Sequence, residues 1–143
     1  MLNSTIIHPD LLAALARCGH GTKILISDGN YPHITGAPET AERIYLNFSR
    51  GLLNVTQVLT GLVSILNCER AEIMLDESAQ ERAAISDYRQ LLPAGTEFVG
   101  HERFEFYESA QSKDVALVIA TGDERQYANL LLTVGVRPEG QEM

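Results

Sequence analysis

The stretch Gly19-His20-Gly21-Thr22-Lys23-Ile24-Leu25-Ile26-Ser27-Asp28 carries the signals from which we predict the fold. Its apolar residues are consecutive rather than alternating, which predicts a strand over 24–27 that is buried on both faces. Gly19 ends the helical pattern that precedes it. We therefore expect His20 on a loop before this strand and Asp28 at its carboxyl end. An imidazole and a carboxylate suit a small polar ligand, and we expect both to face one cavity.

Helices and strands alternate along the rest of the chain, with no linker and no internal repeat. This order predicts one three-layer α/β domain over residues 1–143, with helices on both faces of a largely parallel sheet. Ligands collect at the carboxyl ends of the strands in such sheets, where Asp28 and the turn at 121–124 are expected. The predicted helices cover 9–18, 55–66, 78–92 and 102–111, the third starting from a capping box at 78–81, and the predicted strands cover 24–27, 43–48, 71–75, 96–99, 115–120 and 129–134.

Composition narrows the classes of function. The chain has 11 basic and 19 acidic residues, a net charge of −8, which argues against nucleic acid and anionic membranes as partners. No apolar run approaches the roughly 20 residues of a membrane span, and the first residues do not form a signal-peptide pattern, so we expect a cytoplasmic protein. Cys18 and Cys68 are expected to be apolar fillers rather than a disulfide or metal pair.

Other polar residues are candidates for the site, and each has a plain structural alternative. Arg103 begins a helix and could address a ligand oxygen, or it could pair with a neighbouring glutamate. Tyr127 and Asn129 are two residues apart at the entry to the last strand and could act from one side of it, or Tyr127 could simply pack. Asp28 could accept two hydrogen bonds from vicinal hydroxyls, as in a sugar, or it could cap the next turn. His20 could equally be a loop histidine bonded to a backbone carbonyl.

Cofactor and metal motifs do not occur in the sequence. No GxGxxG, GxxxxGK[ST] or GxSxG pattern is present, so we predict no nucleotide cofactor. A metal site could be assembled on paper from His20, Asp28, His33 and His101, but no HxH, HExxH or CxxC spacing supports it, and we predict none.

Taken in order, several short stretches resemble the D-ribose pyranase / L-fucose mutarotase family. The resemblance extends from the first helix to about Pro138. The stretches that carry it are Pro9-Asp10-Leu11-Leu12, Gly19-His20-Gly21, Ser27-Asp28, Tyr31-Pro32, Arg103-Phe104-Glu105-Phe106-Tyr107-Glu108, Thr121-Gly122-Asp123-Glu124, Tyr127-Ala128-Asn129 and Gly135-Val136.

The resemblance implies a ribose pyranase-like fold and a cofactor-free isomerase that interconverts the cyclic forms of a reducing monosaccharide. It also implies a ring-shaped homo-oligomer, typically a decamer, with sites near subunit boundaries. By the same resemblance, His20 transfers a proton. Our hypothesis is that Tyr127 or a bound water transfers the second proton. Asp28, Arg103, Tyr127 and Asn129 are then the substrate-binding residues.

Two departures from the family pattern leave the chemistry open. The family commonly has an aspartate directly after its Gly-His-x motif, where this chain has Thr22, and a carboxylate there would fix the tautomer of the histidine. The loop Gly29-Asn30-Tyr31 also differs from both well-known branches of the family. Residues 103–107 lean toward fucose mutarotase, whereas 51–59 and 127–130 lean toward ribose pyranase. We favour an L-fucose-like substrate. The alternatives are ribose pyranase activity, a non-catalytic monosaccharide-binding protein of uptake or regulation, and a scaffold ring with a degenerate site.

Overall fold

A six-stranded mixed sheet forms the centre of the computed structural model, which describes residues 1–142. The strand order is β2-β5-β1-β6-β3-β4, and five strands run parallel while β6 is antiparallel to both of its neighbours. The predicted α/β class with a largely parallel sheet is confirmed. The elements are α1 Pro9–Ala16, β1 Lys23–Ser27, β2 Glu42–Tyr45, α2 Val55–Leu62, β3 Cys68–Met74, α3 Ala83–Leu91, β4 Glu97–His101, α4 Arg103–Ala110, β5 Val115–Ala120 and β6 Leu130–Val134.

Both faces of the sheet are covered, one by three helices and the other by a single helix and a loop. Successive side chains of a strand point to opposite faces, so Ile24 and Ile26 of β1 join one apolar cluster and Leu25 joins the other. The first cluster is closed by α1, α2 and α3. The second is closed by α4 and by the loop of residues 28–41, through Tyr31 and Phe106. This thinner layer leaves room for a cavity beside α4.

Helices α1 and α2 have a side-chain cap at their amino end. The Nδ1 atom of His8 accepts a hydrogen bond from the Leu11 N–H at 3.1 Å, and Pro9 fills the first turn of α1. Asn54 and Gln57 form a reciprocal capping box at the start of α2, each side chain accepting the other residue's backbone N–H.

The capping box predicted at 78–81 is wrong. The carboxylate of Asp76 accepts the N–H groups of Ser78 and Gln80, each at 2.9 Å, and this closes a turn instead of starting a helix. Ala79 has a φ of 59°, in the left-handed region, which a helical first turn excludes. Helix α3 therefore begins only after Arg82, which makes no side-chain cap.

The two cysteines are free thiols in different surroundings. Cys68 is buried at the start of β3, and burial raises the pKa of its thiol to about 11. Cys18 is half-buried after α1 and donates to the Ala14 carbonyl. Both behave as the apolar fillers that the sequence suggests.

The four helices have eight or nine residues each. In residues 1–142, none is both long enough and apolar enough to traverse a bilayer.

Candidate ligand site

A cavity of about 280 Å³ opens at the carboxyl edge of the sheet, beside α4. It is slightly smaller than the roughly 300–1,000 Å³ of pockets for drug-sized ligands, which suits a molecule with few heavy atoms. The structure brings four of the five sequence-predicted site residues to it. Its lining consists of Asp28, Asn30, Tyr31, Met74, Arg103, Tyr107, Gln126, Tyr127 and Asn129.

The reversed direction of β6 explains how distant residues meet here. Leu130, the first residue of β6, pairs with Ile26 near the end of β1. The segment that enters β6 therefore arrives at the edge where β1 delivers Asp28. The Asp28 N–H donates to Oδ1 of Asn129 at 2.7 Å, which joins residues that lie 101 positions apart.

Asp28 is the buried carboxylate of the cavity, with only 2% of its surface exposed. Its oxygens accept the backbone N–H groups of Asn30 at 3.0 Å and Ala128 at 3.4 Å. Burial disfavours the charged form and raises the pKa of this carboxyl, and the backbone hydrogen bonds only partly oppose that effect. The Asn30 contact is also the turn cap considered as the alternative, so Asp28 both caps its turn and lines the cavity.

Helix α4 supplies Arg103 and Tyr107 from one face and anchors itself with the other. Phe106 and Ala110 are fully buried against the sheet, so the neighbouring face turns toward the cavity. Residues four apart share a face of a helix, so Phe106 and Ala110 lie on one face and Arg103 and Tyr107 on another. Tyr107 was not among the predicted site residues, although its spacing of four from Arg103 was the signal that could have found it.

Tyr127 also lines the cavity, and residues that do not line it hold its side chain in place. Its φ of 60° places it in the left-handed region, and the Arg82 guanidinium lies over its ring at 5.1 Å from the centroid. A hydrogen bond to the Glu77 carboxylate raises the pKa of the Tyr127 phenol. Arg82 in turn donates to Asp76 at 3.0 Å. The turn before α3 thus orients a cavity residue, which no local sequence pattern indicates.

His20 lies in a different place from the other four. It belongs to a groove of about 470 Å³ between the end of α1 and the end of β6, where its Nε2 atom is 3.2 Å from Glu69 Oε1. His20 precedes β1 and Asp28 follows it, and a five-residue strand is about 17 Å long. The expected convergence of His20 and Asp28 on one cavity does not occur within a single chain.

His33 and His101 each contact a different polar side chain, away from His20. His33 Nδ1 lies 2.8 Å from the Ser27 hydroxyl, and burial lowers the pKa of its imidazole. His101 Nε2 lies 2.8 Å from the buried carboxylate of Glu72, which also accepts from Ser109. The metal site considered from the sequence therefore does not form, because its four candidate ligands lie apart. Residues 1–142 hold no group of three or more potential metal ligands.

Fold and cavity together define an α/β protein with a small polar pocket at the carboxyl edge of its sheet. The chain belongs to the RbsD / FucU transport protein family, whose model matches residues 1–137. It is 31% identical over 136 residues to a D-ribose pyranase of Paracidovorax citrulli, covering 95% of this chain and 98% of that one. It is 35% identical over 140 residues to the fucose mutarotase of Bos taurus, covering 92% and 90%.

The fold agrees with a solved structure of the same family. Bacillus subtilis RbsD complexed with D-ribose superimposes with a TM-score of 0.82 at 26% identity, covering 96% of this chain and 100% of that chain. The family and the fold predicted from the sequence are confirmed.

Proposed function

We propose that this protein interconverts the cyclic forms of a reducing monosaccharide, with L-fucose-like sugars favoured and D-ribose as the alternative substrate. The observation that carries the proposal is the cavity in which a buried carboxylate, Asp28, faces Arg103, Tyr127 and Asn129. Relatives are named for this chemistry on fucose and ribose, and a relative of the same fold holds D-ribose.

Ring opening of a hemiacetal moves two protons. The anomeric hydroxyl loses one and the ring oxygen gains one, after which the aldehyde rotates about its C1–C2 bond and the ring closes again. Two positioned acid–base groups are therefore needed. We assign one transfer to His20 and the other to Tyr127, directly or through a water.

The other cavity residues bind and stabilise. Asp28 accepts hydrogen bonds from hydroxyls that do not react, and the Asn129 amide donates to another. The Arg103 guanidinium stabilises negative charge on the oxygen that loses its proton. These roles use side chains alone and no cofactor.

His20 reaches this chemistry from a second copy of the chain. Within one chain, β1 separates His20 from Asp28, so an assembly that seats the His20 groove of one copy on the cavity of its neighbour completes each site. The ring-shaped homo-oligomer, a decamer, is the assembly we propose.

Saturation-transfer NMR on anomeric protons tests the activity. We expect exchange above the buffer rate with L-fucose, D-ribose or D-galactose, and a loss of about 10²–10⁴-fold in His20→Ala, the usual contribution of an acid–base group. Exchange at the buffer rate with every sugar contradicts the proposal, and unchanged exchange in His20→Ala removes His20 from it.

Mixed oligomers test the shared site. Co-expression of His20→Ala and Asp28→Asn chains gives, for random assembly, about a quarter of the sites with both native groups when these come from different copies. We expect activity in the mixture and almost none in either variant alone. A mixture as inactive as its parents shows that the two residues do not serve one site.

A non-catalytic sugar-binding role is the second candidate. The family description names transport, and Thr22 follows the Gly-His-Gly motif where family members commonly carry an aspartate. Tight sugar binding by calorimetry, without exchange above the buffer rate, would favour this role.

A further inference from the structure

The imidazole of His20 has a carboxylate partner that lies far from it in sequence. Its Nε2 atom is 3.2 Å from Oε1 and 3.3 Å from Oε2 of Glu69. The side chains of both residues are about half exposed, at 57% and 47%, so the pair lies at a surface that another molecule can approach.

Glu69 reaches His20 through a bulge in β3. Cys68 pairs with Val134 of β6 and Arg70 pairs with Thr133, so Glu69 is an extra residue without an opposite partner. Bulges of this kind change the direction in which a side chain points. Without the bulge, Glu69 would follow the alternation of the strand.

The loop that carries His20 is fastened at the same point. The Gly21 N–H donates to the Val134 carbonyl at 2.9 Å, and the Val134 N–H donates to the Thr22 carbonyl at 2.9 Å. Gly135 passes so close to the bulge that an added Cβ would lie 3.3 Å from the Cβ of Glu69. The end of β6 therefore sets the distance between the loop and the bulge.

We infer that Glu69 is a positioning residue for His20. A carboxylate can only accept, so the neutral imidazole must carry its proton on Nε2, and Nδ1 is left as the free base. The inference rests on the proposed function, because it matters for catalysis only if His20 transfers a proton. The inference also accounts for Thr22, which stands where family members commonly carry an aspartate. In this chain the carboxylate beside the histidine is Glu69 of β3 instead of a residue of the loop.

Glu69→Gln tests the inference, with Glu97→Gln as the matched control on an exposed strand position. We expect kcat for anomer exchange to fall about 10-fold with KM unchanged, less than the roughly 10²–10⁴-fold of a whole acid–base group, because Glu69 does not touch the sugar. In protein labelled with ¹⁵N-histidine, we expect the His20 tautomer protonated on Nδ1 to appear in Glu69→Gln and to be absent from the native protein and the control. His20→Ala provides the assignment.

The outcomes separate this inference from the proposed function. If the native protein exchanges anomers and His20→Ala does not, but Glu69→Gln matches the control in either kcat or tautomer, the inference is overturned and the proposed function stands. If the native protein exchanges no sugar, or His20→Ala exchanges as fast as the native protein, the role of His20 in catalysis fails, and the inference with it.

Discussion

The backbone N–H of Asp28 and the side-chain oxygen of Asn129 are joined at 2.7 Å, which binds the end of β1 to the start of β6. The bond uses the acceptor of the amide, so its N–H₂ group is oriented as a donor. The cavity thus combines a carboxylate acceptor and an amide donor side by side. Sugar hydroxyls both donate and accept, and this pair matches them.

Asn129→Ala is expected to destabilise the protein and to weaken sugar binding. It leaves the buried Asp28 N–H without an acceptor, which costs about 1–3 kcal/mol. Urea unfolding measures the loss, and calorimetry with L-fucose measures the binding. Asn47→Ala, at an exposed position, is the control and should change neither. An unfolding free energy equal to that of the control would contradict the structural role of the bond.

Sugar binding should weaken on acidification earlier than an ordinary aspartate predicts. The pKa of Asp28 is raised above its ordinary 3.8 by burial, and the ionised carboxylate is the form that accepts from hydroxyls. Affinity is therefore full well above the folded-state pKa and declines as the pH falls through it. Calorimetric titrations between pH 7 and pH 4 measure this (the range follows from the usual aspartate values near 4). In Asp28→Asn, the weaker binding that remains should be flat over the same range.

Arg82→Ala should raise KM about threefold while leaving the fold intact. The guanidinium over the Tyr127 ring contributes roughly 0.5–1 kcal/mol at a partly exposed site, and its loss frees the ring at the cavity wall. Arg89→Ala is a matched control, because Arg89 lies over Phe98 in the same way, at 4.3 Å, outside the cavity. Equal KM values in the two variants would exclude a role of Arg82 in orienting Tyr127.

Asp123→Asn should lower stability by about 2–3 kcal/mol at neutral pH. Asp123 is buried, and its Oδ2 atom accepts from the Arg125 guanidinium at 2.7 Å and from the Val55 N–H at 2.9 Å. An asparagine keeps one acceptor oxygen, but it removes the negative charge that pairs with Arg125 and turns an N–H₂ group toward the Arg125 donors that Oδ1 accepts from. Glu124→Gln, next along the chain and exposed, is the control.

The carboxylate of Asp123 also makes the stability of the protein depend on pH. Burial alone would raise the pKa of Asp123, but the Arg125 and Val55 hydrogen bonds outweigh it and the pKa lies below 3.8. Its stabilising contribution is therefore present above pH 3.8, the unfolded value, and is lost as the pH falls through the folded pKa. The free energy of unfolding in urea, measured as the pH falls below 3.8, should therefore lose this contribution in the native protein and not in Asp123→Asn.

Gly122→Ala should disrupt the turn that follows β5. A Cβ at this position would lie 2.4 Å from the Ser49 carbonyl oxygen and 3.0 Å from that of Leu52, and backbone atoms cannot yield as side chains do. We expect a loss of more than about 2 kcal/mol, in the range of overpacked sites. Gly95→Ala meets no atom within 4 Å and should be neutral or slightly stabilising. The melting temperatures of the two variants, compared with that of the native protein, test this expectation.

The elements of this protein follow from local signals in the sequence. Consecutive apolar residues in β1 and β5 predict buried strands. Pro9 suits the first turn of α1, Asn54 caps α2, and a spacing of four places Arg103 beside Tyr107. Each of these signals acts over a few residues, through steric preference, hydrogen bonding to nearby N–H groups or the period of the helix. The residues of the cavity wall on α4 were therefore predictable.

What the tertiary structure alone decided is which residues meet. The reversal of β6 brings Asn129 to Asp28, the bulge at Glu69 supplies a partner for His20, and the length of β1 keeps His20 away from the cavity of its own chain. The false capping box at 78–81 fails because Asp76 takes the N–H groups that a helix start would need. Strand order, register and bulges depend on burial between segments that are distant in sequence, so no local pattern determines them.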